Sequence, residues 1–402
     1  MLIEPPLIDG ARIDAERLLR WESWLAELIR FPSTFGNERP ATEFVSARLA
    51  ELGLRPHLVA LDTSRSNVVC KIAGNGAGRS LVLNAHLDVV PAGDERGWNE
   101  APYSGHIDRA RGLIFGRGAL DDKAGVTILL ALVDVLRTKR LAGDLVFQFV
   151  LDDETTGNGT LKCLESGWLG DAALIVDGTR MDRAVSQHAG QLQFGIELEG
   201  RPVSVSVSHL GVNAAELLAR LVIELRETVF ELNGSTEPPW SRFPSPFQFV
   251  VQRLESKGLT ATVPDYAEAG AYVTFPPPFS LRDVRTLLEN ATQRFAHRLG
   301  VAGSIRLVWN GRASEPVSSE SPELIAALAD TASSLGMPQI DIAPSTGYSD
   351  MQHFVERGIP CLLYGPGAGS NPHRPDESYE LSDLPRMVAF YAAFIQRWCS
   401  AT

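Results

Sequence analysis

Short apolar runs that end on metal-ligand side chains constrain this chain more than any other feature. S-L-V-L-N-A at 80–85 ends on His86, and L-V-F-Q-F-V-L at 145–151 ends on Asp152-Asp153-Glu154. A-A-L-I-V at 172–176 ends on Asp177, and I-P-C-L-L-Y at 359–364 enters a Gly/Pro loop holding His373. Each run has strand length and is apolar without alternation, the pattern of strands buried on both faces of a sheet. A further strand is expected at 67–72. Helical spacing recurs at 18–30, 39–52, 124–138 and 321–335. Strand and helix alternate, so the main domain is expected to be α/β with helices on both faces of its sheet.

The middle of the chain has a different order. Strand (192–199), helix (212–232), strands (248–254 and 269–275), helix (281–299) and strand (304–309) make a small ferredoxin-like α+β unit. The expected domains are therefore an α/β metal-binding catalytic domain, residues 1–189 and 307–402, and an insert over 190–306. Residues 233–246, rich in Pro and Ser, are expected to be a loop within the insert. A length of 402 residues suits two domains, and 44% hydrophobic residues can bury a large core.

A formal charge of -12 opposes binding to phosphate backbones, so no nucleic-acid partner is expected. Residues 1–10 lack the basic start and apolar run of a signal peptide, and no apolar stretch of membrane-spanning length occurs. The cysteines (Cys70, Cys163, Cys361 and Cys399) form no C-x-x-C pair and suit a reducing, cytoplasmic compartment.

Taken singly, the polar motifs are ambiguous. His86-Leu87-Asp88 follows a strand at the sheet edge where functional groups gather, and Asp88 could hold the second ring nitrogen of His86. A lone His-x-Asp is more often structural. Gly116 to Lys123 (G-R-G-A-L-D-D-K) places Asp121 and Asp122 at a helix start, where simple N-capping is the alternative. Asp152-Asp153-Glu154 repel one another unless a cation or a proton intervenes, or the turn is simply solvated. Together they say more. Two imidazoles (His86, His373) and three carboxylates (Asp121, Glu154, Asp177) from successive strand ends suit two zinc-like ions sharing a carboxylate.

These residues, in this order, resemble the co-catalytic zinc family of acetylornithine deacetylases, succinyl-diaminopimelate desuccinylases, aminoacylases and glutamate carboxypeptidases. The resemblance spans nearly the whole chain: H-L-D-V-V-P at His86, G-R-G-A-L-D-D-K at Gly116, E-T-T-G-N-G-T at Glu154, G-V-N-A at Gly211 and G-P-G…H at Gly365. It implies that Asp121 bridges two ions, with His86 and Asp177 on one and Glu154 and His373 on the other. It also implies Asp88 behind the ligands, Asp153 as general base, and Ser204, Asn213 and Gly367 on the substrate side. The insert is then a lid and dimerisation domain, and the partner a small N-acyl or peptide-like substrate. The metals would be zinc, with cobalt or manganese possible, since such sites accept all three.

The chain departs from the family in ways that matter. The base is Asp153, where Glu is usual, and its oxygens sit roughly 1.5 Å further back. A displacement of about 1 Å can cost on the order of 100-fold in rate. In the lid, Ser204 stands where a His is usual, Ala261 where an Asn is usual, and Thr274 where an Arg usually grips the substrate carboxylate. A decayed enzyme would have no reason to spare the metal shell alone. The expectation is therefore an amide hydrolase with a changed substrate lacking the free α-carboxylate. The alternatives are a metal-dependent non-hydrolytic enzyme (amide formation or rearrangement) and a non-catalytic metal-binding homologue.

Overall fold

A computed structural model describes residues 7–8, 11–301 and 303–400. Most of the N-terminal segment 1–10, expected not to be a signal peptide, lies outside the described residues. Among those described, no helix is long and apolar enough to cross a membrane.

The chain enters through α1 (Ala15–Ile29), capped by the Asp14 carboxylate accepting from Arg17 N, and α2 (Arg39–Glu51). Then come β1 (His57–Ala60), β2 (Ser66–Ile72), β3 (Leu81–His86), α3 (Lys123–Leu136), β4 (Leu145–Val150), α4 (Asn158–Glu165), β5 (Ala172–Ile175) and β6 (Arg183–His188). The insert follows: β7 (Gly190–Glu199), α5 (Ala214–Glu231), β8 (Gln248–Ser256), β9 (Tyr266–Phe275), α6 (Leu281–Leu299) and β10 (Ile305–Val308). The chain returns through α7 (Pro322–Ser334), β11 (Cys361–Tyr364) and α8 (Asp383–Ser400).

In the α/β unit the strands run in the order β6-β11-β5-β3-β4-β2-β1. The four central strands β11, β5, β3 and β4 are parallel, so their carboxyl ends share one edge. Every residue of β3 and β4 is buried, as their unbroken apolar character requires. Helix α3 is buried all round and packs on β3, α1 and α8. A helix apolar on every side has no face to offer water. A second, small sheet pairs His106–Asp108, Leu113–Phe115, Ser378–Glu380 and Gly369–Ser370.

The inserted unit has its own antiparallel sheet in the order β8-β9-β7-β10, the ferredoxin-like arrangement. Along β7, Leu192, Phe194, Ile196 and Leu198 point alternately inward and meet Leu218, Leu221 and Leu225 of α5 and Leu288 and Phe295 of α6. A Ser280–Asp283 capping box starts α6, and left-handed Gly300 (φ 68°) ends it.

The two compact units are residues 1–186, 319–343 and 349–402, and residues 187–318 with 344–348. The insert thus exceeds the expected 190–306. Ala313–Ser314 pairs with Gln191–Leu192, and Val317–Ser318 pairs with Gln187–His188, adding both flanks. These pairings are too short to leave a periodic signal.

Candidate metal centre

Three ligand candidates leave the same sheet edge. His86 is the last residue of β3, Asp177 follows β5 by two residues, and Glu154 follows β4 by a tight turn in which Asp152 is left-handed (φ 72°). Asp121 sits at a helix start, as expected, but not at a strand end. It lies in the turn that enters α3, after the short strand Leu113–Phe115. His373, itself left-handed (φ 58°), lies on the loop between Gly369–Ser370 and Ser378–Glu380.

The side chains converge. His86 Nε2 lies 2.9 Å from Asp121 Oδ1. His373 Nε2 lies 3.1 Å from Asp121 Oδ2 and 2.8 Å from Glu154 Oε1. The two oxygens of Asp121 therefore face two different imidazoles. Asp177 lines a cavity of about 160 Å³ with Asp121, Thr179, Arg180 and Gly367. At Gly367, which lines this cavity, φ is 129° and a Cβ would lie 3.0 Å from the Asp383 side chain, a conformation and fit that favour glycine.

Asp88 works differently from expectation. Its backbone carbonyl, 2.9 Å away, accepts from His86 Nδ1–H, while its carboxylate is 3.7 Å from that nitrogen. The carbonyl still fixes the tautomer that leaves Nε2 free for a cation. The Asp88 carboxylate instead accepts the N–H groups of Asp153 (3.3 Å) and Glu154 (3.1 Å), fixing the turn that bears both residues.

The electrostatics are those of a site built for positive charge. Burial pushes Asp88 up to about 8, with Asp153 and Glu154 adding to the rise against the pull of His86. Burial raises Glu154 and Asp177 too, with the Asp121 charge adding to both. Burial alone would lower His86, but Asp153, Asp121 and Asp122 drive it well above its ordinary value. Hydrogen bonds to Asp121 and Glu154 raise His373 to about 10. Burial opposes ionisation of Asp121, yet the two imidazoles hold it below the usual carboxylate range.

A pair of divalent cations fits this donor set. His86, Asp121 and Glu154 place ligand atoms within 4.8 Å of one another, and so do His86, Asp122 and Asp177. Two atoms that each bind an ion at about 2.1 Å lie roughly 3–3.4 Å apart, close to the His–carboxylate separations here. Imidazole and carboxylate are the donors that zinc-like ions prefer. Asp122 is within reach but otherwise engaged: Oδ2 accepts His86 N at 3.2 Å and Oδ1 accepts Gly125 N at 3.1 Å, capping α3.

Sequence reasoning missed Glu377. Fully buried, it accepts Arg117 Nη1 (2.6 Å), Gly118 N (3.1 Å), Leu120 N and Asp121 N (3.0 Å each). It clamps the loop presenting Asp121 from four residues beyond His373. Lys123 is buried next to this clamp, and burial lowers its amine to about 7 while it donates to Phe31 O at 2.6 Å.

Ser204, Asn213 and Thr274, the substrate-side expectations in the insert, belong to the second compact unit. Ser204 is exposed and caps a short 3-10 segment, and its hydroxyl is 3.0 Å from Ser206 Oγ. Asn213 is the N-cap of α5, accepting Glu216 N at 3.2 Å. Thr274 is buried in β9 and donates to Pro246 O at 3.4 Å.

A parallel sheet with a histidine–carboxylate cluster at its carboxyl edge, and a ferredoxin-like unit inserted in the chain, define a class of two-domain metal-site proteins. Within that class the chain belongs to Peptidase family M20/M25/M40, which it matches over residues 82–397. It is therefore a metal-dependent hydrolase of amide or peptide-like bonds. It is 26% identical to the N-formyl-4-amino-5-aminomethyl-2-methylpyrimidine deformylase of Bacillus subtilis (strain 168), covering 90% of each chain. Its fold is similar to that of a tripeptidase from Staphylococcus aureus (TM-score 0.76, 19% identity, 96% of this chain and 98% of that one). A dinuclear metal binding peptidase from Bacillus subtilis also shares it (TM-score 0.69, 16% identity, 97% and 100%).

Proposed function

We propose that this protein removes a small acyl group from the nitrogen of a small molecule, using two divalent cations held by His86, Asp121, Glu154, Asp177 and His373. The observation that carries the reading is Asp121, whose two oxygens face His86 and His373 separately, as a carboxylate shared between two ions would. Bound there, zinc, cobalt or manganese would supply Lewis acidity to polarise an amide carbonyl and ease deprotonation of water. Asp153 takes a proton from the attacking water and delivers it to the leaving amine. Asp88 holds the backbone of Asp153 in place for that exchange. Gly367 and Thr179 line the cavity beside Asp121 and Asp177, where the substrate's acyl group would sit.

The substrate proposed lacks a free α-carboxylate, because Thr274 stands where an arginine would grip one. The similarity to a deformylase points the same way. We further propose a cytoplasmic homodimer joined through the inserted unit. The test is hydrolysis of N-formyl and N-acetyl amines against N-acyl amino acids by zinc-, cobalt- or manganese-loaded protein, with products identified by mass spectrometry. Turnover of the simple amides, lost in Asp153→Ala, is expected. Fast turnover confined to N-acyl amino acids would overturn the substrate reading.

A further inference from the structure

The base of this enzyme is one methylene shorter than usual, so its position leaves little room for error. Asp153 side-chain placement depends on the turn 152–157, and that turn is held from two sides. On one side Asp88 accepts the N–H groups of Asp153 and Glu154. On the other side stands Arg65, far away in sequence, in the turn between β1 and β2.

Arg65 is bound into a nearly buried ionic network. Its Nε and Nη2 donate to Glu38 Oε1 at 3.1 and 2.6 Å, and Nη2 also donates to Asp152 Oδ1. The side chains of Arg65, Glu38 and Asp152 are 10%, 1% and 5% exposed. The guanidinium lies 4.2 Å from the centre of the Phe35 ring, which covers its face. Asp62 orders the Arg65 turn by accepting Arg65 N at 2.9 Å.

Asp152 in turn organises everything that follows it. Its carbonyl accepts from Thr155 N (3.2 Å), Thr156 N (3.0 Å) and Gly157 N (2.7 Å). Its carboxylate accepts from Thr155 Oγ1 (3.2 Å) and Thr156 Oγ1 (2.9 Å). Aspartate tolerates the left-handed conformation better than most residues, and here these hydrogen bonds fix it. Among the described partners of the Asp152 side chain, Arg65 is the one that carries a full positive charge.

We propose that Arg65 is a positioning residue for the reaction: through Asp152 it locks the turn that aims Asp153 at the substrate. Glu38 holds the guanidinium at the angle from which it reaches Asp152. A lysine keeps the charge but cannot reproduce the fork, since an ammonium is a point donor on a flexible stem. This rests on the assignment of Asp153 as base, so the test needs a readout independent of turnover.

The variants are Arg65→Lys and Arg65→Met, with Asp152→Asn read in the same way should Arg65→Met not fold. Hydrogen exchange of the metal-free protein reports the turn directly. Amides of Thr155, Thr156 and Gly157 are expected to lose protection about tenfold or more, while β4 amides 145–150 keep theirs. Steady-state kinetics of the metal-loaded variants on the best amide substrate report the base. The expected loss in kcat, expressed per bound metal, is about tenfold for Arg65→Lys and about 100-fold for Arg65→Met, with KM within about twofold of wild type. Unchanged exchange in the turn overturns the proposal whatever the enzyme hydrolyses. Loosened exchange with unchanged kcat overturns the role assigned to Asp153 in it. A parallel fall of β4 protection and kcat shows general destabilisation and also overturns it.

Discussion

Glu377 receives three backbone N–H groups and a guanidinium, all from the loop that ends on Asp121. Arg117, its partner, is 1% exposed, so the pair is buried and has no water to replace a lost charge. Glu377→Gln keeps the shape and removes the charge. It is expected to cost about 3–5 kcal/mol of stability, measured by denaturant unfolding. A cost near zero would mean that the loop is held by other contacts. The ligand candidates could be picked out in the sequence because each stands beside a strand-like run or within a Gly-rich turn. Glu377 and Arg65 were not, because their partners are remote in sequence: Glu377 reaches back to Arg117 and Arg65 forward to Asp152. Nothing local marks a glutamate whose role is to accept a distant loop's N–H groups. Asp88 was legible as a support, but that its carbonyl and not its carboxylate meets His86 depends on the path of the backbone after β3.

At the scale of elements, the junction of α3 with the end of β5 decides whether Asp121 and Asp177 face one another. Gly125 makes that approach possible: a Cβ there would lie 2.3 Å from Val176 O and 2.2 Å from Asp122 Oδ1. Gly125→Ala must therefore push the start of α3 away from Asp177. A stability loss of about 1–3 kcal/mol is expected, with weaker metal binding by isothermal titration. Wild-type metal affinity in this variant would separate the helix start from the site. The central parallel strands were legible because burial on both faces removes polar alternation, leaving the runs at 80–85, 145–151 and 172–176. The strand β7 was legible for the opposite reason, through its inward Leu192, Phe194, Ile196 and Leu198. The small sheet carrying the His373 loop was missed. Its strands, such as Gly369–Ser370, are too short to show a period.

For the whole molecule, the two-unit organisation was legible from the switch in element order near residue 190, whereas the pairings that extend the insert to Ser318 were not. The proposed homodimer has a specific surface to test. Strand β8 is the edge of its sheet, and Val250 (47%), Val251 (37%) and Leu254 (51%) are exposed along it. An apolar, unpaired edge is a pairing site unless it is covered. Val250→Asp with Leu254→Asp is expected to turn a sedimenting dimer into a monomer while far-ultraviolet circular dichroism stays unchanged. A wild-type protein that sediments as a monomer would contradict the dimer.

Two ions sharing Asp121 are the centre of the proposed chemistry, and anomalous diffraction at the zinc edge from crystals of zinc-loaded protein measures them directly. Two peaks are expected on either side of the Asp121 carboxylate, one against His86 and Asp177 and the other against Glu154 and His373, with both lost in Asp121→Ala. A single peak, or two that leave Asp121 unbound, would contradict the dinuclear centre on which the proposed chemistry rests.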